Sequence, residues 1–181
     1  MDPRRMRFEA QVMPHLDAAY RFARWLARSS ADADDIVQEA VLRAYRGFDG
    51  LRASDIKGWL LTIVRNCHAT AYRQAQRRAT EALPEEGDAR HGYAMVSSEP
   101  DPESATILKD DERTFELLMA RLSEEHREVL SLRELEEMSY REIATVTRLP
   151  IGTVMSRLAR ARAALKELWL TEAQGEPSGV P

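Results

Sequence analysis

Two amphipathic segments separated by a proline constrain this chain most. Residues 138–168 read MSYREIATVTRLPIGTVMSRLARARAALKEL. Ser139, followed three residues later by Glu142, has the pattern of a capping box, which begins a helix. Pro150 cannot continue that helix, because proline lacks an N–H and pushes its predecessor out of helical geometry. A second helix therefore starts near Ile151, and the segment is predicted to be a helix-turn-helix.

The second helix of this motif has an apolar side and a cationic side. Its apolar residues recur at steps of three and four, the spacing of one buried face. They are Ile151, Val154, Leu158, Ala161, Leu165 and Leu168. The opposite face carries Thr153, Met155, Ser156, Arg157 and Arg160. Because the start of such a helix lies in the major groove, where arginine can bridge guanine acceptors, the motif predicts duplex DNA binding.

The charge of the chain is unevenly distributed along its 181 residues. Residues 1–79 contain fourteen Lys and Arg and nine Asp and Glu. Residues 80–128 contain five Lys and Arg and fourteen Asp and Glu, and residues 129–181 contain seven of each. The acidic middle also contains proline, glycine and serine, which favours a solvated segment. We therefore predict an all-α protein of two small helical domains, 1–79 and 103–170, joined by a flexible acidic linker at 80–102 and followed by a disordered tail at 171–181.

Several function classes find no support in the sequence. No run of eighteen apolar residues and no secretory signal occurs, so we expect a cytoplasmic protein. Cys67 is the single cysteine, which excludes an internal disulfide and favours core packing. The four histidines lack ligand spacing, and nucleophile motifs and a glycine-rich phosphate loop are absent. We therefore expect no enzyme, no metal, no cofactor and no small-molecule substrate.

Helical spacing recurs three times in the N-terminal half. The predicted helices cover residues 8–27, 33–45 and 56–78, and Pro14 predicts a break within the first. In the second helix Leu42 falls on the outer face, where it is either a protein contact or an ordinary exposed leucine. Both readings stay open.

The third N-terminal helix combines cations with an aromatic ring on its outer side. The residues on this side are Arg65, Asn66, His68, Tyr72, Arg73, Arg77 and Arg78. Bases stack on rings while cations neutralise the backbone, so this face is typical of single-stranded nucleic-acid binding. Trp59 is predicted to pack in the core, whereas Tyr72 fits either role.

Three blocks in order, VQEAVLRAYRGF, KGWLLTIVRNCHATAYRQAQR and LSEEHREVLSLRELEEMSYREIATVTRLPIGTVMSRLARAR, resemble the bacterial extracytoplasmic-function sigma factors. The resemblance covers nearly the whole chain and places the first block in region two and the last in region four. No region one or region three is visible. It implies a subunit that binds core RNA polymerase, at the clamp helices of the largest subunit and the flap of the second-largest, and directs it to promoter DNA.

The resemblance also implies roles for individual positions. Polymerase would be contacted by Asp35, Gln38, Glu39, Leu42, Arg43 and Arg46. A base flipped out of the minus-10 box, and the strand separated around it, would be held by Phe48, Leu51, Arg52, Ser54, Lys57, Arg65, Asn66, Tyr72, Arg73 and Arg77. The minus-35 box would be met by Thr153, Met155, Ser156, Arg157, Ala159 and Arg160. Many relatives have a cation at Met155 and a bulky residue at Ala159, so we expect a different base preference here.

Family members are held silent by an anti-sigma factor, which can be membrane-tethered, and the linker would let the two halves pack together in that state and separate on the polymerase.

Two alternatives remain. The chain could be a stand-alone helix-turn-helix regulator, which predicts tight DNA binding by residues 103–170 without polymerase. It could also be a sigma mimic that only sequesters an anti-sigma factor, although the intact cations Arg65, Arg73, Arg157 and Arg160 argue against this.

Overall fold

The structure, a computed structural model, describes residues 2–27, 29–51, 55–81 and 108–174, which form helices and short connections without a β-strand among them. The all-α fold class is confirmed. Most of the predicted linker lies outside these ranges, so the proposed domain boundaries stay predictions.

Four helices make up the N-terminal half: α1 (Pro3–Val12), α2 (Leu16–Leu26), α3 (Ser30–Gly47) and α4 (Ile56–Glu81). The break predicted at Pro14 is confirmed, because a 3₁₀ turn at Met13–His15 separates α1 from α2. Helix α1 begins earlier than predicted. The Asp2 side chain accepts a hydrogen bond from the Arg4 N–H at 3.0 Å, and Pro3 suits the first helical position.

Side-chain caps fix the ends of the connections around α3. The Ser29 hydroxyl accepts from the Asp32 N–H at 3.0 Å, so α3 starts at Ser30, before the predicted helix 33–45. A 3₁₀ turn at Phe48–Gly50 follows α3. At the start of α4 an Asp55 carboxylate oxygen accepts from the Gly58 N–H at 2.9 Å.

The C-terminal half contains α5 (Leu108–Arg121), α6 (Glu124–Leu130), α7 (Tyr140–Thr147) and α8 (Ile151–Gln174). Helices α7 and α8 confirm the predicted helix-turn-helix, with the reciprocal capping box at Ser139 and Glu142 in place. Arg148 ends α7 in the left-handed conformation, with a φ of 56°. The tail predicted from residue 171 is wrong for its first residues, because α8 continues to Gln174.

A π-helical turn at Ser131–Leu135 lies between α6 and α7, and no sequence pattern predicts it. Its wide ring is closed by the Glu136 N–H, which donates to the Ser131 carbonyl at 3.0 Å, and the Met138 N–H donates to the Leu132 carbonyl at 3.0 Å. Single π turns are rare and occur frequently at functional sites. Here the turn sets the position of Glu136.

One hydrophobic core runs through both halves of the chain. Phe22 and Leu60 from the N-terminal half and Leu132 and Leu158 from the C-terminal half belong to the same buried cluster. The rings of Trp25 on α2 and Phe115 on α5 meet edge to face, with centroids 6.0 Å apart. The two helical halves are thus packed against each other.

Most inward positions were predicted correctly. Cys67 is buried, and Trp59 packs against the core. Ile151 was assigned wrongly to the buried stripe of α8, because it is 45% exposed. It is the first residue of α8, beyond the point where the neighbouring helices cover that side. Val154 and Leu158, one and two turns later, are buried as expected.

The capping box predicts the stability of one variant. Ser139→Ala removes the acceptor of the Glu142 N–H at the start of α7, and we expect a loss of about 1 kcal/mol in the free energy of unfolding. Urea denaturation monitored by circular dichroism measures it. The control is Thr145→Ala in the interior of α7, where the exposed hydroxyl bonds only to the Arg141 carbonyl of its own helix. Equal midpoints for wild type and Ser139→Ala would contradict the expectation.

Candidate nucleic-acid interface

The first turns of α8 present the surface expected to meet duplex DNA. We call this the reading surface; it comprises Thr153, Met155, Ser156, Ala159 and Arg160. All are exposed except Thr153, which is half-buried. The Ser156 hydroxyl donates to the Thr153 carbonyl at 3.0 Å, and Arg160 Nε donates to the Ser156 carbonyl at 3.3 Å. The backbone under this surface is therefore a regular helix with its outer side open.

Arg157 differs from the other predicted minus-35 residues. Its side chain is only 15% exposed, and a guanidinium nitrogen lies 3.1 Å from a Glu125 carboxylate oxygen on α6. Arg157 is three residues after Val154 and next to Leu158, so its position around the helix is nearer the inward side than that of Arg160. The prediction that it belongs to the outer face is wrong for this arrangement, in which Arg157 ties α8 to α6.

The outer side of α4 provides a second cationic surface, which we call the strand surface: Asn66, Tyr72, Arg73 and Arg77. Arg73 and Arg77 are exposed, and Asn66 and Tyr72 are half-buried. Arg73 Nε donates to the Ala69 carbonyl at 3.0 Å, which holds the guanidinium along the helix. The Tyr72 hydroxyl accepts from the Gln76 amide at 2.8 Å. The strand surface therefore combines one aromatic ring with two exposed cations.

The predicted pocket for a flipped base is built differently from the expectation. Phe48 is buried, with its ring edge to face against Phe8 at 5.4 Å between centroids. Leu51 is half-buried against the core. The prediction that Phe48 contacts a base is wrong here, because its ring fills the junction of α1 and α3. Arg52 and Ser54 lie outside the described residues.

The two remaining predicted minus-10 residues, Lys57 and Arg65, are bound by carboxylates from the C-terminal half. Lys57 Nζ lies 2.8 Å from a Glu136 carboxylate oxygen and donates to the Glu136 carbonyl at 2.8 Å. Arg65 Nε donates to the carboxylate of Glu128 on α6. The C-terminal half thus occupies cations that the sequence assigned to the promoter strand.

Glu136 is the centre of this contact. Its side chain is 1% exposed, and it accepts from Arg21 Nε at 3.0 Å as well as facing Lys57. A buried carboxylate needs paired charges and hydrogen bonds to offset the water it has lost. Both of its cationic partners come from the other half of the chain.

Arg127 and His68 extend the contact at its other end. The buried Arg127 guanidinium on α6 donates to the Trp25 carbonyl at 3.1 Å and to the Leu122 carbonyl at 2.7 Å. His68 Nδ1 on α4 lies 3.5 Å from a Glu124 carboxylate oxygen. We call this whole set, with Glu136 and Glu128 and their partners, the interdomain contact.

Burial controls the ionisation of Glu128. Loss of water around the carboxyl raises its pKa above the ordinary value, and the nearby Arg65 and Arg157 oppose this without cancelling it. Glu124 adds a smaller effect in the same direction as burial. The neutral form of Glu128 is therefore favoured more in the folded protein than in the unfolded chain.

A third surface lies on the outer side of α3, where the sequence predicted the polymerase contact. Leu42 is 52% exposed, and Arg43 Nε meets a Glu39 carboxylate oxygen at 2.6 Å beside it. Asp35, Gln38 and Arg46 are exposed on the same helix. This surface is apolar at its centre and charged at its edges, and the interdomain contact leaves it open.

Sequence reasoning missed the C-terminal members of the interdomain contact: Glu128, Glu136 and Arg127. The available signal was the mixture of charged and apolar residues over 127–138, which does not show which of the charged residues are buried. Among the described residues, no group of His, Cys, Asp or Glu could hold a metal ion, and none of their helices is long and apolar enough to span a membrane.

Comparison with protein families finds two matches, one in each half. The model described as Sigma-70 region 2 matches residues 11–78, and the model described as Sigma-70, region 4 matches residues 112–165. The first match contains the strand surface and the outer side of α3, and the second contains the reading surface.

Among similar curated proteins is the ECF RNA polymerase sigma factor SigE of Mycolicibacterium smegmatis, which is 32% identical over 86% of this chain. That match spans only 59% of the length of SigE. The RNA polymerase sigma-H factor of Pseudomonas aeruginosa is 34% identical over 74% of this chain and 71% of its own length.

Solved structures share the arrangement of the helices. The sigma factor RpoE from Bartonella quintana, crystallised with the anti-sigma factor NepR, is 28% identical, with a TM-score of 0.71 over 90% of this chain and 96% of that one. CnrH, in complex with the cytosolic domain of CnrY, is 25% identical, with a TM-score of 0.60 over 91% of this chain and 88% of that one.

The raised pKa of Glu128 predicts a pH-dependent difference between wild type and Glu128→Gln. A raised carboxyl pKa contributes stability that is present at low pH and is lost as pH rises through the folded value. We therefore expect the urea midpoint of wild type to rise relative to that of Glu128→Gln as pH is lowered from neutral towards the ordinary range of carboxyl groups. Glu125→Gln, whose carboxylate is exposed, is the control. A difference between the urea midpoints that grows in favour of wild type as pH rises would contradict the raised pKa of Glu128.

Proposed function

Because this chain belongs to the sigma-70 family, in the extracytoplasmic-function group, we propose that it is the promoter-specificity subunit of a bacterial RNA polymerase. It binds the core enzyme, recognises promoter DNA and starts transcription there. The chemistry of RNA synthesis belongs to the polymerase, and this chain contributes binding alone. It works in the cytoplasm, where the polymerase and its template are.

The presence of two distinct nucleic-acid surfaces in one chain supports this function most strongly. The reading surface lies on the second helix of a helix-turn-helix, which fits the major groove of an intact duplex. The strand surface combines Tyr72 with Arg73 and Arg77, which fits an unpaired strand. Promoter opening needs both, because the upstream box stays double-stranded while the downstream box is melted.

A stand-alone regulator needs only the reading surface. It gives no reason for the cations and ring on α4, or for an exposed Leu42 between charged residues on α3. In a sigma factor these surfaces have uses, the first for the minus-10 strand and the second for the clamp helices of the polymerase. Region four would also meet the flap of the second-largest subunit.

We infer that an anti-sigma factor controls the chain. The similar protein RpoE was crystallised with the anti-sigma factor NepR, and CnrH has been solved in complex with the cytosolic domain of CnrY. The interdomain contact is consistent with an inactive form of the chain, in which residues predicted to bind the promoter are already paired. Glu136 and Glu128 place carboxylates on Lys57 and Arg65, where phosphates of the promoter strand would bind. DNA and the C-terminal half then compete for the same cations.

Reconstituted transcription tests the function. Core polymerase with the full chain is given a promoter library, and we expect specific transcripts that core polymerase alone does not produce. Arg160→Ala should reduce initiation at the selected promoters about tenfold, because one contact to a base or phosphate is lost. Arg121→Ala, an exposed arginine on α5 paired with Glu172, is the control. No transcript above the core background would refute the function.

Competition within the chain predicts a gain of binding. Glu136→Gln removes the charge that holds Arg21 and Lys57, so the halves separate more readily and the full chain should bind a single-stranded oligonucleotide at least about threefold more tightly. Fluorescence anisotropy measures it. Glu172→Gln, which removes an exposed carboxylate on α8, should bind as wild type does. Unchanged or weaker binding by a folded Glu136→Gln would contradict the competition.

A further inference from the structure

An apolar ridge crosses the outer side of the first turns of α8. Ile151, Met155 and Ala159 are four residues apart, so they follow one another along the same side of the helix. All three are exposed, Ile151 to 45% and Met155 to 52%. We call these three residues the exposed ridge.

The exposed ridge is separate from the core side of the helix. Val154, Leu158 and Ala161 are buried and supply the packing of α8. Single exposed apolar residues are common on protein surfaces. Two large ones on successive turns, on the part of the helix that enters the major groove, instead need a partner outside the protein.

The polar groups near the exposed ridge limit what this surface can recognise. Arg157, the cation closest to Met155 in sequence, is held by Glu125. Ser156 uses its hydroxyl hydrogen on the Thr153 carbonyl. Arg160 remains as an exposed cation, five residues after Met155. The outer side of the first two turns is therefore mainly apolar, and few of its side chains are left to donate a hydrogen bond.

The major groove contains one apolar group, the C5 methyl of thymine. A methionine side chain has no N–H to donate to guanine, and its unbranched thioether adapts its shape to a neighbouring group. Ala159, a small residue one turn later, leaves space for the Met155 side chain to lie against a base edge. Apolar contact with a thymine methyl thus matches both the chemistry and the shape of the ridge.

We propose that Met155 is a specificity-determining residue that reads the methyl group of a thymine in the minus-35 box. The proposal rests on the proposed function, since it names what the reading surface selects. A protein partner could also cover an apolar ridge. DNA is favoured because the segment 138–170 that carries the ridge contains six Lys and Arg against two Asp and Glu.

The test removes the methyl group and nothing else. Templates with a randomised upstream box are first selected by transcription with wild-type holoenzyme. Each thymine of the selected box is then replaced by deoxyuridine, which keeps the hydrogen-bonding groups. We expect one replacement to weaken formation of the open complex about fourfold for wild type, the effect of one methyl group leaving an apolar contact.

Met155→Ala should show no response to that replacement, because the side chain that contacts the methyl is gone. Met13→Ala, which truncates another exposed methionine, between α1 and α2, should keep the wild-type response. As a second readout, Met155→Lys should select guanine in place of the thymine-containing pair, because the ammonium can donate to its acceptors.

Three outcomes would overturn the proposal. The first is a selected box in which no thymine-to-deoxyuridine replacement affects wild type. The second is an equal loss in wild type and Met155→Ala. The third is an unchanged promoter choice in Met155→Ala together with weaker binding of an anti-sigma protein, which would assign the ridge to that partner. Failure of the proposed function is distinct, because wild-type holoenzyme would then transcribe no template.

Discussion

The buried carboxylate of Glu136 is the constraint on which the arrangement of the two halves depends. A glutamate with a 1% exposed side chain must be paired, and its partners Arg21 and Lys57 lie on α2 and α4 of the other half. The π-helical turn just before it, closed by the Glu136 N–H, fixes where this side chain enters the interface. Removing either cation while the interface stays closed would leave a buried charge uncompensated, so the compact arrangement depends on both partners.

This arrangement covers some surfaces of the chain and leaves others open. The outer side of α3, with Leu42, stays exposed, and so does most of the reading surface on α8. Lys57 and Arg65 on α4 are the functional candidates that the C-terminal half occupies. In the proposed function, polymerase would bind the compact chain at the open side of α3. Capture of the unpaired strand would follow only after the interdomain contact opens, because the C-terminal half already pairs with Lys57 and Arg65.

Local chemistry was predictable from the sequence, and pairing across the chain was not. The capping box at Ser139, the break at Pro14 and the start of α8 each depend on residues only a few positions apart. The partners of Glu136 are 115 and 79 residues away, and Glu128 and Arg65 are 63 residues apart. Helical periodicity shows on which side of its own helix a residue lies, but it does not show which other helix packs against that side. For the same reason the prediction for Arg157 is wrong, because periodicity does not show that Glu125 on α6 lies against it.

The ion pairs of the interdomain contact contribute little net stability, which suits a contact that opens in the proposed function. The carboxylates of Glu136 and Glu128 are buried, whereas the cations Lys57 and Arg65 keep about a third of their exposure. Burial of a carboxylate costs solvation that returns when the interface opens, so these pairs contribute less net stability than their short distances indicate. They instead fix the register in which the halves meet, since a shifted interface would leave a charge unpaired. In the proposed function, phosphates of a promoter strand would offer Lys57 and Arg65 equivalent partners, and the released carboxylates would regain water. Exchange of one set of anions for another is therefore possible without disrupting the core of either half.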